Sequence, residues 1–129
     1  MNSTDNSISF KINGDSRGKL LPIEFSNLPF TPQRIFITFG VPNGETRGKH
    51  ASRTNRQILF CTGGRIHASF TRRGKTESVV LNCGDYYFVE SMTWNELVFY
   101  ENASLVSICS KEYDPSDYIV DYKEFLKQK

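Results

Sequence analysis

The segment Arg47-Gly48-Lys49-His50-Ala51-Ser52-Arg53 places one of the chain's two histidines in a run of cations. An imidazole titrates near neutrality, with an unperturbed pKa of about 6.5, so His50 can accept or deliver a proton at cellular pH. Ser52 lies two residues further on, and in an extended chain the two side chains share a face. Arg47, three residues before His50, would point the other way in a flat strand; Gly48 permits a bend that joins them. The plain alternative is a surface histidine among solvated arginines, and this segment alone does not separate the two.

Arg17, Arg34 and Arg47 suit an anionic ligand, because guanidinium forks make bidentate, charge-assisted hydrogen bonds to a diphosphate. Solvated surface positions are the competing account of all three. In Trp94-Asn95-Glu96 the single Trp opens a strand-like run, where it either stacks on a sugar or base or packs at a barrel mouth. His67 shares an alternating face with Arg65 and Ser69, and an outside position is expected; turned inward, it would supply a second imidazole. No bound metal is expected. A zinc or iron site needs about three converging ligands, and no acidic residue lies between Glu45 and Glu77. A Ser-His-Asp triad is not expected either, since no GxSxG elbow occurs.

The elements that must position these residues are short and strand-like. Ile35, Ile37, Phe39 and Val41 alternate with Phe36 and Thr38; Ile58 and Phe60 alternate with Gln57, Leu59 and Cys61. Ile66, Ala68 and Phe70 form a third such face, and further runs lie at 78–81, 86–89, 96–100 and 105–109. Turn signals at Asn13-Gly14, Asn43-Gly44, Gly63-Gly64, Arg73-Gly74 and Cys83-Gly84 separate them. This spacing predicts an antiparallel sandwich or barrel. The face Gln57, Leu59, Cys61 meets water outside or lines a polar lumen, and periodicity leaves both open. Near the end, Asp114-Pro115-Ser116 is a turn with a cap, and Tyr118, Tyr122 and Phe125 at i, i+4 and i+7 predict a helix packed on the sheet.

The 129 residues suit one domain, here taken as 1–129, and 38% apolar with 13% aromatic residues is too rich for a disordered chain. A net charge of +2 argues against a general nucleic-acid binder. No apolar run approaches the roughly 18 residues of a membrane helix. Met1–Asn6 lacks the basic-then-apolar order of a signal peptide, so a cytoplasmic protein is expected, with Cys61, Cys83 and Cys109 reduced and the sequons at Asn2 and Asn102 unused.

Taken in order, these pieces resemble the WxcM-like cupins, the dTDP-4-keto-6-deoxyhexose 3,4-ketoisomerases of bacterial surface-polysaccharide synthesis. The matching stretches are Asp15-Ser16-Arg17-Gly18-Lys19-Leu20, Leu28-Pro29-Phe30 with Gln33-Arg34, Arg47-Gly48-Lys49-His50-Ala51, Gln57-Ile58-Leu59-Phe60-Cys61 with Gly64, Trp94-Asn95-Glu96, and a tail from Tyr113-Asp114 to Phe125. The likeness covers about residues 8–126. It implies an all-β cupin, a double-stranded β-helix (jelly-roll) barrel with a short C-terminal helix, working as a homodimer without metal or other cofactor. It also implies a dTDP-linked keto-sugar in the barrel, with His50 and Ser52 at the catalytic positions. Arg17, Arg34, Arg47, Gln57, Trp94 and Glu96 would be substrate-binding.

The family motif reads RGxHAH, and here Ser52 replaces its second histidine. Moving a keto group between neighbouring carbons needs a base at C3 and an acid at C4. A hydroxyl is far too weak a base at pH 7, so His50 is expected to serve alone. Same-face return of the proton by His50 would then give the galacto product, and a second acid on the opposite face the gluco product. A dTDP-sugar-binding cupin without catalysis and a 3,5-epimerase-like enzyme are the alternatives.

Overall fold

The computed structural model describes residues 8–128; Met1–Asn6 and the Asn2 sequon lie outside them. In chain order the strands are β1 (Asn13–Asp15), β2 (Gly18–Leu20), β3 (Arg34–Thr38), β4 (Thr46–Ser52), β5 (Gln57–Arg72), β6 (Lys75–Asn82), β7 (Tyr86–Val89), β8 (Trp94–Cys109) and β9 (Tyr118–Ile119), followed by one short helix, α1 (Tyr122–Leu126). β1 and β2 form a separate hairpin.

The backbone of the fold is an antiparallel ribbon of β5 and β8, each 16 residues long. The expected turn at Gly63-Gly64 is therefore corrected: the register shifts at Cys61/Gly63 and again at Gly63/Arg65, and the strand bends there without ending. The reason is steric. Gly64 has φ +67°, and a Cβ on it would lie 2.5 Å from the Ala103 Cα. Only glycine lets the two backbones stay paired through the bend. Opposite it, Glu101 and Asn102 take left-handed φ of 58° and 55°.

The bend divides the ribbon into two walls. One runs β7-β5-β8-β3, the other β6-β5-β8-β4, with β9 extending β4. Facing each other, they form the jelly roll expected from the sequence. Leu59, Cys61, Tyr87, Val89 and Leu105 of the first wall meet Ile66, Ala68, Phe70, Leu97 and Phe99 of the second. The first wall is buried on its other side too, where the N-terminal segment lays Ile8, Phe10, Leu21, Ile23, Leu28 and Phe30 over Ile58, Phe60, Tyr86, Phe88 and Ile108. Gln57, Leu59 and Cys61 thus face inward, which settles the side that alternation left open. The cover stops at β8: on the outer side of the β3 segment Ile35, Ile37 and Phe39 are 53%, 58% and 73% exposed.

The C-terminal helix is shorter than the Tyr118-Tyr122-Phe125 stripe suggests, because Tyr118 lies on β9 and pairs with Ser52. Asp117 holds this segment extended. Its carboxylate accepts hydrogen bonds from the backbone N–H groups of Thr54 and Asn55 and from the Thr54 hydroxyl. Asp114 caps a single 3-10 turn at Pro115–Asp117, and Asp121 caps α1. Phe125 then closes one end of the barrel against Ala51, Trp94 and Ile119.

Candidate active site

A cavity of about 70 Å³ opens between the walls, lined by Phe36, Thr38, Gln57, Leu59 and Ser107 on one side and by Arg47, Gly48, His50, Asn95 and Leu97 on the other. It is narrow, with room for a few waters, and suits the reacting end of a larger ligand. Wider depressions exist, one of about 550 Å³ beside the β5–β6 turn, but that one is lined by Thr71, Arg72, Arg73 and Met92 and by no imidazole or carboxylate. Another, of about 510 Å³, holds the carboxylates of Glu77 and Glu90 but no imidazole, whereas the narrow lumen holds His50.

His50 is placed by an irregularity in β4. The register against β8 shifts between Gly48 and His50, with Gly48 at φ +90° and Lys49 at +59°. This bulge brings Arg47 and His50 to the same cavity, as the glycine between them allows. The His50 Nδ1 lies 3.1 Å from the Gly48 carbonyl. A carbonyl oxygen only accepts, so Nδ1 carries the proton and Nε2 of the neutral ring is left as the base. Burial disfavours the imidazolium and lowers the His50 pKa below its ordinary 6.5; the Gly48 carbonyl opposes this with a smaller effect. The Asn95 side-chain amide donates to the His50 carbonyl at 3.1 Å, and the Tyr118 ring lies against the imidazole with centroids 4.9 Å apart.

Arg34 reaches the far side of Tyr118. Its Nη2 donates to the Tyr118 hydroxyl at 3.4 Å and to Cys109 Sγ at 3.5 Å, while its guanidinium lies over Phe36 and Tyr113. Its buried Nε has no partner. Gln57 accepts a weak bond from Cys109 Sγ at 3.8 Å. His50, Arg47, Gln57 and Arg34 are thus brought together.

The other expected site residues sit elsewhere. Ser52 is buried in β4 but does not line the cavity. Trp94 and Glu96 face away from Asn95, and their side chains pair with each other, Nε1 donating to the carboxylate at 2.9 Å. The indole packs on Tyr122 and Phe125. Arg17 lies in the exposed β1–β2 hairpin, bound to Asp15 at 2.6 Å. His67 is exposed beside Tyr100 and offers the lumen no second imidazole. Among the described residues no cluster of three or more His, Cys, Asp or Glu could hold a metal.

Sequence reasoning missed Asn95, Tyr118 and Ser107. Asn95 was legible, because it alternates with Trp94 and Glu96 and shares parity with the apolar Leu97 and Phe99. Tyr118 was hidden by its helical spacing. Ser107 carried no signal beyond its place in a strand.

Two bent walls around a lumen with a single poised imidazole define a cupin-type barrel. The chain belongs to the FdtA family (WxcM-like, C-terminal), which it matches over residues 3–129. It is 31% identical over 123 residues to the TDP-4-oxo-6-deoxy-α-D-glucose 3,4-oxoisomerase of Aneurinibacillus thermoaerophilus, covering 93% of this chain and 88% of that one. A 3,4-ketoisomerase from Helicobacter canadensis superposes with a TM-score of 0.84 at 28% identity, over 93% and 92% of the two chains. A histidine-to-asparagine variant of the QdtA 3,4-ketoisomerase from Thermoanaerobacterium thermosaccharolyticum, solved with TDP-4-keto-6-deoxyglucose, gives 0.84 at 27% identity, over 92% and 88%. The isomerase class expected from the sequence agrees with these relatives.

Proposed function

We propose that this chain, as one catalytic domain, converts dTDP-4-keto-6-deoxyglucose to a dTDP-3-keto-6-deoxyhexose, with His50 as the proton carrier. The observation that carries the reading is the ring of His50, set on the wall of the lumen with Nδ1 3.1 Å from the Gly48 carbonyl, an arrangement that leaves Nε2 to serve as the base. The base removes the proton from C3, the C3–H electron pair forms the C3=C4 bond of an enediol, and the C4 oxygen is protonated. Return of a proton to C4, with loss of the proton from the C3 oxygen, completes the keto shift. Arg47 on the cavity lining and Arg34, whose buried Nε is unpartnered among the described residues, suit the diphosphate, whose remote binding energy positions the sugar. Gln57, which lines the same cavity, hydrogen-bonds the sugar in this reading. Purified protein in heavy water should place deuterium at C4 of the product, with NMR also giving its galacto or gluco configuration. No conversion of the 4-keto sugar and no exchange at C3 or C4 sinks the reading; uptake at C5 replaces it with epimerisation.

The same proposal includes a homodimer in the cytoplasm, acting in surface-polysaccharide sugar synthesis. Among the described residues β3 is hydrogen-bonded only to β8, and Ile35, Ile37 and Phe39 beside its other edge are exposed. An uncovered apolar edge strand is a liability that a second copy removes. Sedimentation velocity should give twice the 14.8 kDa chain mass, and Ile37→Lys should shift the protein to monomer. The three free thiols, two of them buried, fit a reducing compartment.

A further inference from the structure

Ser107 stands in the middle of the first wall, with Leu59 and Phe36 as its register partners on the two neighbouring strands. All three line the cavity. Ser107 is 0% exposed, and its hydroxyl has no hydrogen-bond partner among the described residues. A buried hydroxyl without a partner opposes folding, and an alanine of nearly the same shape would avoid that cost at no loss of packing. Its register partners Leu59 and Phe36 are apolar and cannot satisfy it. The one open direction is the lumen, where His50 and Gln57 also face.

We infer that Ser107 is a substrate-positioning residue whose hydroxyl hydrogen-bonds an oxygen of the hexose held against His50. The inference rests on the proposed keto-sugar reading and adds a contact on the wall opposite the base. A hydroxyl both donates and accepts, so it can serve a keto oxygen before the proton shift and a hydroxyl after it.

Calorimetry tests this with dTDP alone and with dTDP-4-keto-6-deoxyglucose, on the wild type, Ser107→Ala and Ser107→Thr. Ser107→Ala should weaken binding of the keto-sugar nucleotide about tenfold, leave binding of dTDP unchanged, and melt at the same temperature as the wild type or higher. Its KM should rise about as much as its sugar affinity falls. Ser107→Thr, which keeps the hydroxyl, should restore most of the affinity. Unchanged sugar affinity in Ser107→Ala overturns the inference while the wild type still turns over. A wild type that neither binds nor converts the sugar nucleotide overturns the keto-sugar reading, and the inference with it.

Discussion

His50→Asn should lower kcat by about 10²–10⁴-fold while leaving affinity for the sugar nucleotide within a few-fold, as measured by NMR turnover and calorimetry. Asparagine can still donate to the Gly48 carbonyl from its amide, so the local geometry survives. It has no basic nitrogen, so the proton has no carrier. The pH profile gives an independent check. Burial lowers the His50 pKa, so the neutral base persists below pH 6.5 and is lost only as the pH falls through this lowered value. The acid limb of kcat/KM in the wild type should therefore lie below 6.5, and the residual rate of His50→Asn should lack it. A variant within tenfold of the wild type, or one that keeps the acid limb, assigns the proton to another group.

Gly48→Ala should damage both stability and rate. Gly48 sits at φ +90°, and a Cβ there would lie 2.7 Å from Asn95 Oδ1 and 2.9 Å from the Asn95 carbonyl oxygen. The first contact could be relieved by turning the amide, but that breaks its bond to the His50 carbonyl. The second is with backbone and requires β4 and β8 to separate. Strain and overpacking together should cost about 2–4 kcal/mol, read from the urea midpoint at constant m-value. A displacement of the imidazole by about 1 Å should cost about 10²-fold in kcat. Gly40 is the control: its φ is +70°, yet a Cβ there meets nothing within 4 Å. Gly40→Ala should lose only the strain contribution and keep full activity. Equal effects of the two substitutions would remove the bulge from the account.

Alternation made the strands readable, because inward and outward residues of β3, β5 and β8 differ at every second position. It could not show that Ile58 and Phe60 are also buried, since the N-terminal segment that covers them is remote in sequence. Nor could it join the two halves of β5: two adjacent glycines read as a turn, and only the close approach of Ala103 makes them a bend within one strand. At the site, residue type points to His50 and Arg47, and the bulge brings both to one cavity. Trp94 and Glu96 drew attention by composition, but parity sends them to the opposite face from Asn95. The Tyr118 ring reaches His50 because Asp117 pins an extended segment to the 53–55 loop, a tertiary effect that a helical stripe conceals.

The shared ribbon also governs how the molecule comes together and apart. The bond between Gln57 and Cys109 spans 52 positions of chain, and neither half of the barrel has a long central strand of its own. β5 and β6 pair locally across the Arg72–Lys75 turn, but the first wall gains its central pair only when that large loop closes, which makes its assembly the slow, topology-limited part of folding. In the native state the outlying strands can fray singly, whereas opening β8 dismantles everything at once, so its amides should exchange with solvent last.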